Sequence, residues 1–125
     1  MSHIVVAKTK VKNPNRNIAK RAFELVVKEY NGKILKTNRE WDRYVEVQGD
    51  ILARIGNRVI GINVGDTLEV VGDPFGWEEE FEEIKKEIEK TYIALAVMVA
   101  MESENYTLSE VNKEKKAVVM AFIKE

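Results

Sequence analysis

The sequence predicts an α+β domain in which a mainly antiparallel sheet carries two helices on one face. The first observation is that six of the seven glycines fall between Gly49 and Gly76, where turn dipeptides separate short runs rich in Val, Ile and Leu. That spacing is typical of an antiparallel meander. The second is that apolar residues recur at helical spacing both before and after this region. With 125 residues, the chain has the length of one domain, spanning 1–125.

Before the meander, the sequence predicts a strand, a helix and two more strands. His3 to Val11 has the β-branched content of a first strand. Asn13-Pro14 offers an N-cap and a first-turn proline, so the first helix should begin there, and Asn31-Gly32 should end it. The next strand candidates are 33–37 and 43–48, divided by 38–42.

The meander and the elements after it complete the prediction. Its three strands are expected at 51–55, 58–64 and 67–71. Gly72 to Gly76 then breaks the sheet before a second helix that starts at Trp77 and reaches about Ser103. A closing hairpin is expected from strands at 106–111 and 117–123, which gives the order β-α-β-β-β-β-β-α-β-β.

The second half of this helix differs from its first half. The first turns are acidic, whereas residues 93–101 are all apolar and need cover on every side. Two interpretations stay open: a central helix enclosed between the sheet and the first helix, or a subunit interface. On the second interpretation, self-association would involve Leu95, Met98 and Val99.

Composition excludes several classes of protein. There is no cysteine, which excludes disulfides and thiolate zinc sites and is compatible with a reducing cytoplasm, the expected location. The longest apolar run, 92–101, is about half of a membrane span, so no membrane insertion is expected. Charged residues make up 33% of the chain, mostly Lys and Glu with a single Gln, a bias that resembles proteins of hot environments.

Charge is divided unevenly along the chain. Residues 1–43 carry eleven Lys or Arg against four Asp or Glu, while residues 44–125 carry nine against seventeen. Two opposite halves of one small domain can neutralise each other once folded. The alternative is a nucleic-acid or anionic-ligand surface, for which the candidate residues are Lys8, Lys10, Lys12, Arg16 and Lys20.

No arrangement of residues identifies a catalytic reaction. His3 is the only histidine, and without cysteine it cannot build a typical zinc site, so we predict neither a metal nor a cofactor. No Ser/His/Asp set is visible. The glycine-bearing loop before the second helix could suggest phosphate binding, but Glu78, Glu79 and Glu80 occupy the helix start and repel anions. The sequence therefore favours a protein without catalytic activity.

Two tryptophans stand beside charged stretches. Trp41 lies between Arg39 and Arg43, and Trp77 directly precedes the glutamates. Core packing explains most large aromatic residues in folded proteins. The alternative is a stacking or partner-docking surface, in which Trp41, Arg43 and Trp77 would take part.

A set of short motifs resembles those of one known family. The motifs are Met1-Ser2-His3, Lys8-Thr9-Lys10, Ile60-Gly61-Ile62-Asn63, Asp66, Glu69, Gly72-Asp73 and Gly76, with a tyrosine late in the second helix at Tyr92. In this order they are similar to the family of hypothetical chloroplast reading frame thirty-five, a domain of unknown function also seen in cyanobacteria and other prokaryotes. The chain has Ile4 where that family commonly has Phe, and Pro74-Phe75 where it has paired aromatics.

The resemblance implies an accessory role rather than a reaction. The family has no assigned activity, and its genes often lie near those for an AAA-type ATPase. An adaptor for such an ATPase, with His3 and Asp73 in a shared partner-binding site, is what the resemblance suggests. Together with the missing catalytic set and the apolar half-helix, it leads us to predict a non-catalytic protein-binding module that self-associates.

Overall fold

The structure, a computed structural model, describes residues 3–103, which form seven strands and two helices. In chain order these are β1 (Val5–Lys12), α1 (Arg16–Glu29), β2 (Lys33–Ile34), β3 (Arg39–Asp42), β4 (Val45–Gln48), β5 (Ile51–Ile55), β6 (Arg58–Val64), β7 (Thr67–Gly72) and α2 (Glu78–Ser103). This is the α+β architecture that the sequence predicts. The predicted closing hairpin, at 106–111 and 117–123, lies outside the described residues.

Five of the strands form one antiparallel sheet in the order β1-β7-β6-β5-β2. The meander β5-β6-β7 follows the predicted bounds, with β7 extended by one residue. Gly56 in its first turn has φ +62, a left-handed conformation that residues with a side chain disfavour. β1 pairs with β7 rather than with a sequence neighbour, and Val5 stands opposite Gly72. The start of the chain therefore lies beside the loop that leads into α2.

Both helices pack on one face of this sheet, as predicted. The strands contribute alternate residues to the interface, because neighbouring side chains in a strand point to opposite faces. The buried core between the two layers contains Ala53, Ile60, Ile62, Leu68 and Val70 from the sheet and Ala22, Phe23, Val26, Ile84 and Ile88 from the helices. Close packing of this kind leaves little freedom of movement to β6 and β7, whose ends carry the residues discussed below.

The hairpin β3-β4 covers the opposite face of the sheet. Its Val47 is fully buried against Leu52, Val59 and Val71, which form a second, smaller core. This packing places Asp42, at the end of β3, beside the start of β6, where its carboxylate accepts a hydrogen bond from Arg58.

Two local predictions for the first half of the chain were wrong. Residues 38–42, expected to divide two strands, contain β3 itself, and the turn falls at Arg43, which has φ +58. The hydrophobic pattern was misleading because the inward-facing Asp42 is buried by an ion pair with Arg58 instead of by apolar contacts. The strand expected at 33–37 is limited to Lys33–Ile34, which stand opposite Arg54 and Ala53 of β5.

Helix α1 begins later than predicted. Its N-cap is Asn15, whose side chain accepts a backbone hydrogen bond from the first turn. Asn13 takes a left-handed conformation, with φ +50, and donates its N–H to the carbonyl oxygen of Asp66. The chain thus contains two asparagines that could cap the helix, and the contact with Asp66 decides between them. The predicted stop is confirmed by Asn31, with φ +60, just after the helix.

Helix α2 begins at Glu78, one residue after the predicted start, and ends at Ser103, as predicted. Its second half is only partly covered among the described residues. Tyr92 is buried, whereas Ile93, Val97 and Val99 are 50%, 38% and 49% exposed. The central-helix interpretation requires this half of the helix to be enclosed on every side. Within residues 3–103 it is not. Neither of the two described helices has an apolar stretch long enough to cross a membrane.

Candidate functional site

Arg58, the first residue of β6, ties together separate parts of the fold. Its side chain is 9% exposed, and its Nε donates to Asp42 Oδ1 at 3.0 Å. Nη1 donates to Phe75 O at 2.8 Å, and Nη2 donates to Asp73 O at 2.8 Å. A guanidinium carries five N–H donors in one plane, so it can serve acceptors on more than one side. The hairpin and the loop 73–77, which connects β7 to α2, are thereby joined through one side chain.

Trp77 closes this cluster on the side of α2. The guanidinium of Arg58 lies 5.0 Å from the centroid of the indole ring, within cation–π range. The indole Nε1 donates to Asp73 O at 2.6 Å, and Phe81 packs edge-on with its ring centroid 5.7 Å away. Trp77 is therefore held by contacts inside the fold.

Asp73 links the start of the chain to the loop 73–77. It is fully buried, and its Oδ1 accepts the backbone N–H of Phe75 at 3.0 Å and that of His3 at 3.4 Å. Its Oδ2 lies 3.9 Å from Arg58 Nη2. His3 and Asp73, which the family resemblance connects, are thus neighbours although 70 positions separate them in the chain.

Arg43 reaches the same loop from the hairpin. Its Nη2 donates to Phe75 O at 3.0 Å, and its side chain is 38% exposed. Trp41 does not join the cluster, since its side chain is exposed on the surface of the hairpin. Of the five residues predicted to bind a partner, the structure brings together His3, Arg43, Asp73 and Trp77, and it places Trp41 on an adjoining segment.

Three large aromatic side chains are exposed on the two segments that this cluster joins. Trp41 is 57% exposed and Tyr44 is 86% exposed, both on the hairpin, while Phe75 is 45% exposed on the loop. We call Trp41, Tyr44 and Phe75 the aromatic corner. Arg58 donates to the Phe75 carbonyl oxygen and to the carboxylate of Asp42, the residue that follows Trp41, so both segments are bonded to one buried side chain while the three rings are exposed.

Sequence reasoning missed Asp42, Arg58, Tyr44 and Phe75. Tyr44 and Phe75 gain their importance from exposure, which depends on a hairpin that the sequence did not predict. Arg58 did give a signal, because it is a single charged residue at the head of an otherwise apolar strand. A buried charge of that kind requires a partner, but only the fold identifies the partner as Asp42.

A cleft of about 490 Å³ opens beside the cluster. It is lined by Tyr30, Arg43, Ile55, Gly56, Asn57, Arg58, Gly76, Trp77 and Glu80. Its charges are of both signs, and the Arg58 guanidinium is already engaged by Asp42 and by the loop. The cleft therefore does not present the concentrated positive charge that an anionic ligand would require.

Tyr30 is the lining residue with a strongly perturbed ionisation. Burial raises the pKa of its hydroxyl above the ordinary value, and the Glu83 carboxylate raises it further through its negative charge and as a hydrogen-bond partner. The hydroxyl is therefore neutral at physiological pH. A raised pKa is the opposite of what a tyrosine nucleophile or base requires.

The raised pKa of Tyr30 predicts a loss of stability at alkaline pH. An unfolded tyrosine ionises near pH 10, whereas Tyr30 in the fold stays neutral to higher pH. Stability from this group is thus complete below about pH 10 and falls as pH rises further. Denaturant unfolding at several values from pH 7 to pH 11.5 should show a steeper alkaline decline in the wild type than in Tyr30→Phe. Parallel declines above pH 10 would contradict this.

The five candidate residues of the basic surface are exposed, but acidic groups lie among them. Lys8, Lys10 and Lys12 alternate along β1, an edge of the sheet, while Arg16 and Lys20 lie on α1. Lys8 stands opposite Glu69, and Glu89 of α2 accepts the backbone N–H of Lys10 at 2.6 Å. Lysines on an edge strand commonly prevent pairing with another sheet, which accounts for this row without nucleic acid.

The residues predicted for self-association have different environments. Leu95 packs against the main core, and Met98 is half-buried. Val99 is exposed and shares that property with Ile93 and Val97. Ile93 and Val97 are one turn apart and share a side of α2, whereas Val99 projects from a different side. Leu95 is partly buried against the main core.

No metal centre is visible in the part of the chain that the structure describes, because no three His, Asp or Glu side chains there lie close enough to hold an ion. Comparison of the chain with protein-family models, with curated proteins and with solved structures finds no match.

Proposed function

We propose that this protein is a non-catalytic protein-binding module and that the aromatic corner is its partner-binding surface. The observation that carries the proposal is the exposure of Trp41, Tyr44 and Phe75 on two segments anchored by one buried arginine. Tyr and Trp are enriched among the residues that contribute most to protein–protein affinity. They contribute large contact areas with few rotatable bonds, so little side-chain entropy is lost on binding.

The rigidity of the supporting backbone also favours this function. Binding surfaces that are ordered before the partner arrives avoid the entropy cost of ordering them on contact. The loop 73–77 is held by Arg58 at two carbonyl oxygens and by Arg43 at one of them. The anchoring charges themselves are buried, so a partner would meet the aromatic rings and the partly exposed Arg43.

The first candidate partner is an AAA-type ATPase. This choice rests on the resemblance to the family of hypothetical chloroplast reading frame thirty-five, and the proximity of His3 to Asp73 supports it, since the resemblance connects those two residues. A cytoplasmic location belongs to the same proposal and is supported by the absence of cysteine.

Replacing two residues of the aromatic corner should abolish most partner binding. We expect Trp41→Ala/Tyr44→Ala to weaken the affinity at least about tenfold, because both rings are lost from the surface. Proteins recovered with the tagged wild type from nuclease-treated source lysate would be identified, and the affinity of a purified ATPase among them would be measured by calorimetry. Equal stability is expected, since both side chains are exposed.

Val6→Ala provides the matched control for this experiment. Val6 is 53% exposed on β1 and is not a member of the aromatic corner, so its truncation should leave binding unchanged. A partner that binds the double variant as tightly as the wild type would contradict the proposed surface. Recovery of nucleic acid alone, lost on nuclease treatment or at raised salt, would favour the basic surface of β1 and α1.

Self-association through α2 is the second proposed function. Its specific support is the pair of exposed apolar side chains Ile93 and Val97, which lie one turn apart in a row on the same side of a helix segment without a charged residue from 91 to 101. Apolar surface of this kind on a helix is typical of contact between proteins. A second copy of the chain would bring an identical row to the contact, as two-fold symmetric dimers require.

A charged residue in this row should produce a monomer. We expect Val97→Glu to sediment as a folded monomer where the wild type sediments as a dimer, because the carboxylate would lose its water on association. Leu95→Glu is the contrasting variant. Leu95 packs against the core, so a carboxylate in its place should unfold the protein. A wild type that is monomeric at micromolar concentration would contradict this second function.

A further inference from the structure

We infer that the Asp42–Arg58 pair couples the hairpin turn to the loop 73–77, so that the two halves of the aromatic corner become ordered or disordered together. The coupling itself is a property of the chain alone. Only its role in partner binding rests on the proposed function. In this view Asp42 is a positioning residue that acts on the loop through Arg58.

The direction of the hydrogen bonds supports this assignment. Arg58 Nε donates to both carboxylate oxygens of Asp42, at 3.0 and 3.3 Å, which fixes the plane of the guanidinium. The two remaining nitrogens then point at the carbonyl oxygens of Asp73 and Phe75, each at 2.8 Å. Because the guanidinium is planar and rigid, turning it away from Asp42 would misplace both loop contacts at once.

Burial makes intermediate arrangements unfavourable. Asp42 and Asp73 are fully buried, and Arg58 is nearly so. A buried charge that loses its partner cannot be rehydrated unless the surrounding segments open. A hairpin turn that leaves its place therefore removes Asp42, the nearer of the two carboxylates beside Arg58. An opened loop removes the acceptors that hold Arg58 beside the hairpin.

Arg43 provides a second connection between the same segments. Its Nε lies 3.9 Å from Asp42 Oδ1, and its Nη2 shares the Phe75 carbonyl oxygen with Arg58. Asp42 thus orients two arginines that converge on one acceptor. A partner that stabilises the position of Phe75 should therefore also stabilise that of Tyr44, and one that binds Tyr44 should stabilise Phe75.

Amide hydrogen exchange of Asp42→Asn provides the test. The substitution keeps the size of the side chain and removes its charge. We expect the amides of 43–45 and of 75–77 to exchange at least about tenfold faster in the variant, while β5, β6 and β7 keep their protection. Faster exchange in the hairpin alone would overturn the inference, since Asp42 would then have no effect on the loop.

Glu40→Gln is the matched control on the same strand. The Glu40 carboxylate lies 3.7 Å from Arg54, and both side chains are about a third exposed. Neutralising the Glu40 carboxylate should leave the amide exchange of 75–77 unchanged. A loop that loosens equally in both variants would show a general effect of altered charge on β3 and would also overturn the inference.

A measurement on the wild type covers the case in which Asp42→Asn fails to fold. Exchange measured in increasing, sub-denaturing urea should show the amides of 43–45 and 75–77 exchanging with one common urea dependence, as members of one cooperative unit. Separate dependences would overturn the coupling. None of these readouts involves a partner. Unchanged binding by Trp41→Ala/Tyr44→Ala would therefore disprove the binding surface and leave the coupling intact. Uncoupled exchange of the two segments would disprove the coupling and leave the binding surface intact.

Discussion

Replacing Arg58 with methionine is expected to lower the free energy of unfolding by about 3–5 kcal/mol, the range found when one member of a buried ion pair is removed. Methionine fills much of the space of the arginine stem but provides no donor for Asp42, Asp73 or Phe75. The fully buried carboxylate of Asp42 would be left without its guanidinium. Urea unfolding followed by circular dichroism at pH 7 measures the difference.

Arg54→Met is the control for this substitution. Arg54 lies one strand away and approaches Glu40 at 3.7 Å, with both side chains about a third exposed. An exposed pair of this kind contributes about 0–1 kcal/mol, so the variant should be close to the wild type in stability. Equal effects of the two substitutions would show that Arg58 is not the buried anchor described above.

Gly61→Ala is the second substitution with a large expected effect, about 3 kcal/mol of destabilisation, at the upper end of the range for overpacked cores. A Cβ at Gly61 would lie 2.7 Å from the carbonyl oxygen of Ile51 and would overlap a methyl group of Leu52. The methyl group can turn away, but the carbonyl oxygen belongs to the backbone of β5. We expect thermal unfolding to report a lower midpoint for this variant.

The same substitution at Gly65 separates crowding from chain entropy. A Cβ there would meet no atom within 4 Å, and Gly65 is not among the residues with positive φ. Gly65→Ala should therefore leave the melting temperature nearly unchanged or raise it slightly. A similar loss at both glycines would mean that contact with β5 is not the cause.

The meander could be predicted almost residue by residue because its information is local. Each strand is a short apolar run, and each turn contains a residue that tolerates left-handed backbone, as at Gly56. Apolar spacing also predicted most of the buried face of each helix, as the burial of Val26, Ile84 and Ile88 confirms.

The hairpin β3-β4 could not be predicted in the same way, because its inner face is partly ionic. Glu40 and Asp42 occupy the inward positions of β3, where a period-two pattern would require apolar residues. Asp42 is tolerated there by Arg58, a contact across 16 positions of the chain. Local propensity has no access to such a pairing, so the strand was interpreted as a connection.

The candidate site was predictable in its members more than in their roles. His3, Arg43, Asp73 and Trp77 were identified from the sequence, and they do lie around one loop. Their roles differ from the initial expectation because Asp73 is fully buried with its carboxylate inside the fold. An Asp73→Ala variant would therefore lose stability, and a variant of the exposed aromatic corner is the cleaner test of partner binding.

The pairing of β1 with β7 also has a consequence for the order in which the chain folds. Val5 and Gly72 stand opposite each other although most of the described sequence lies between them, so their contact closes a long loop. In contrast, β5, β6 and β7 are joined by short turns. Loop closure becomes more costly with length, so we expect the meander to form first and β1 to dock late. During synthesis β1 leaves the ribosome before β7 exists, and its lysines keep it from other chains until its partner strand appears.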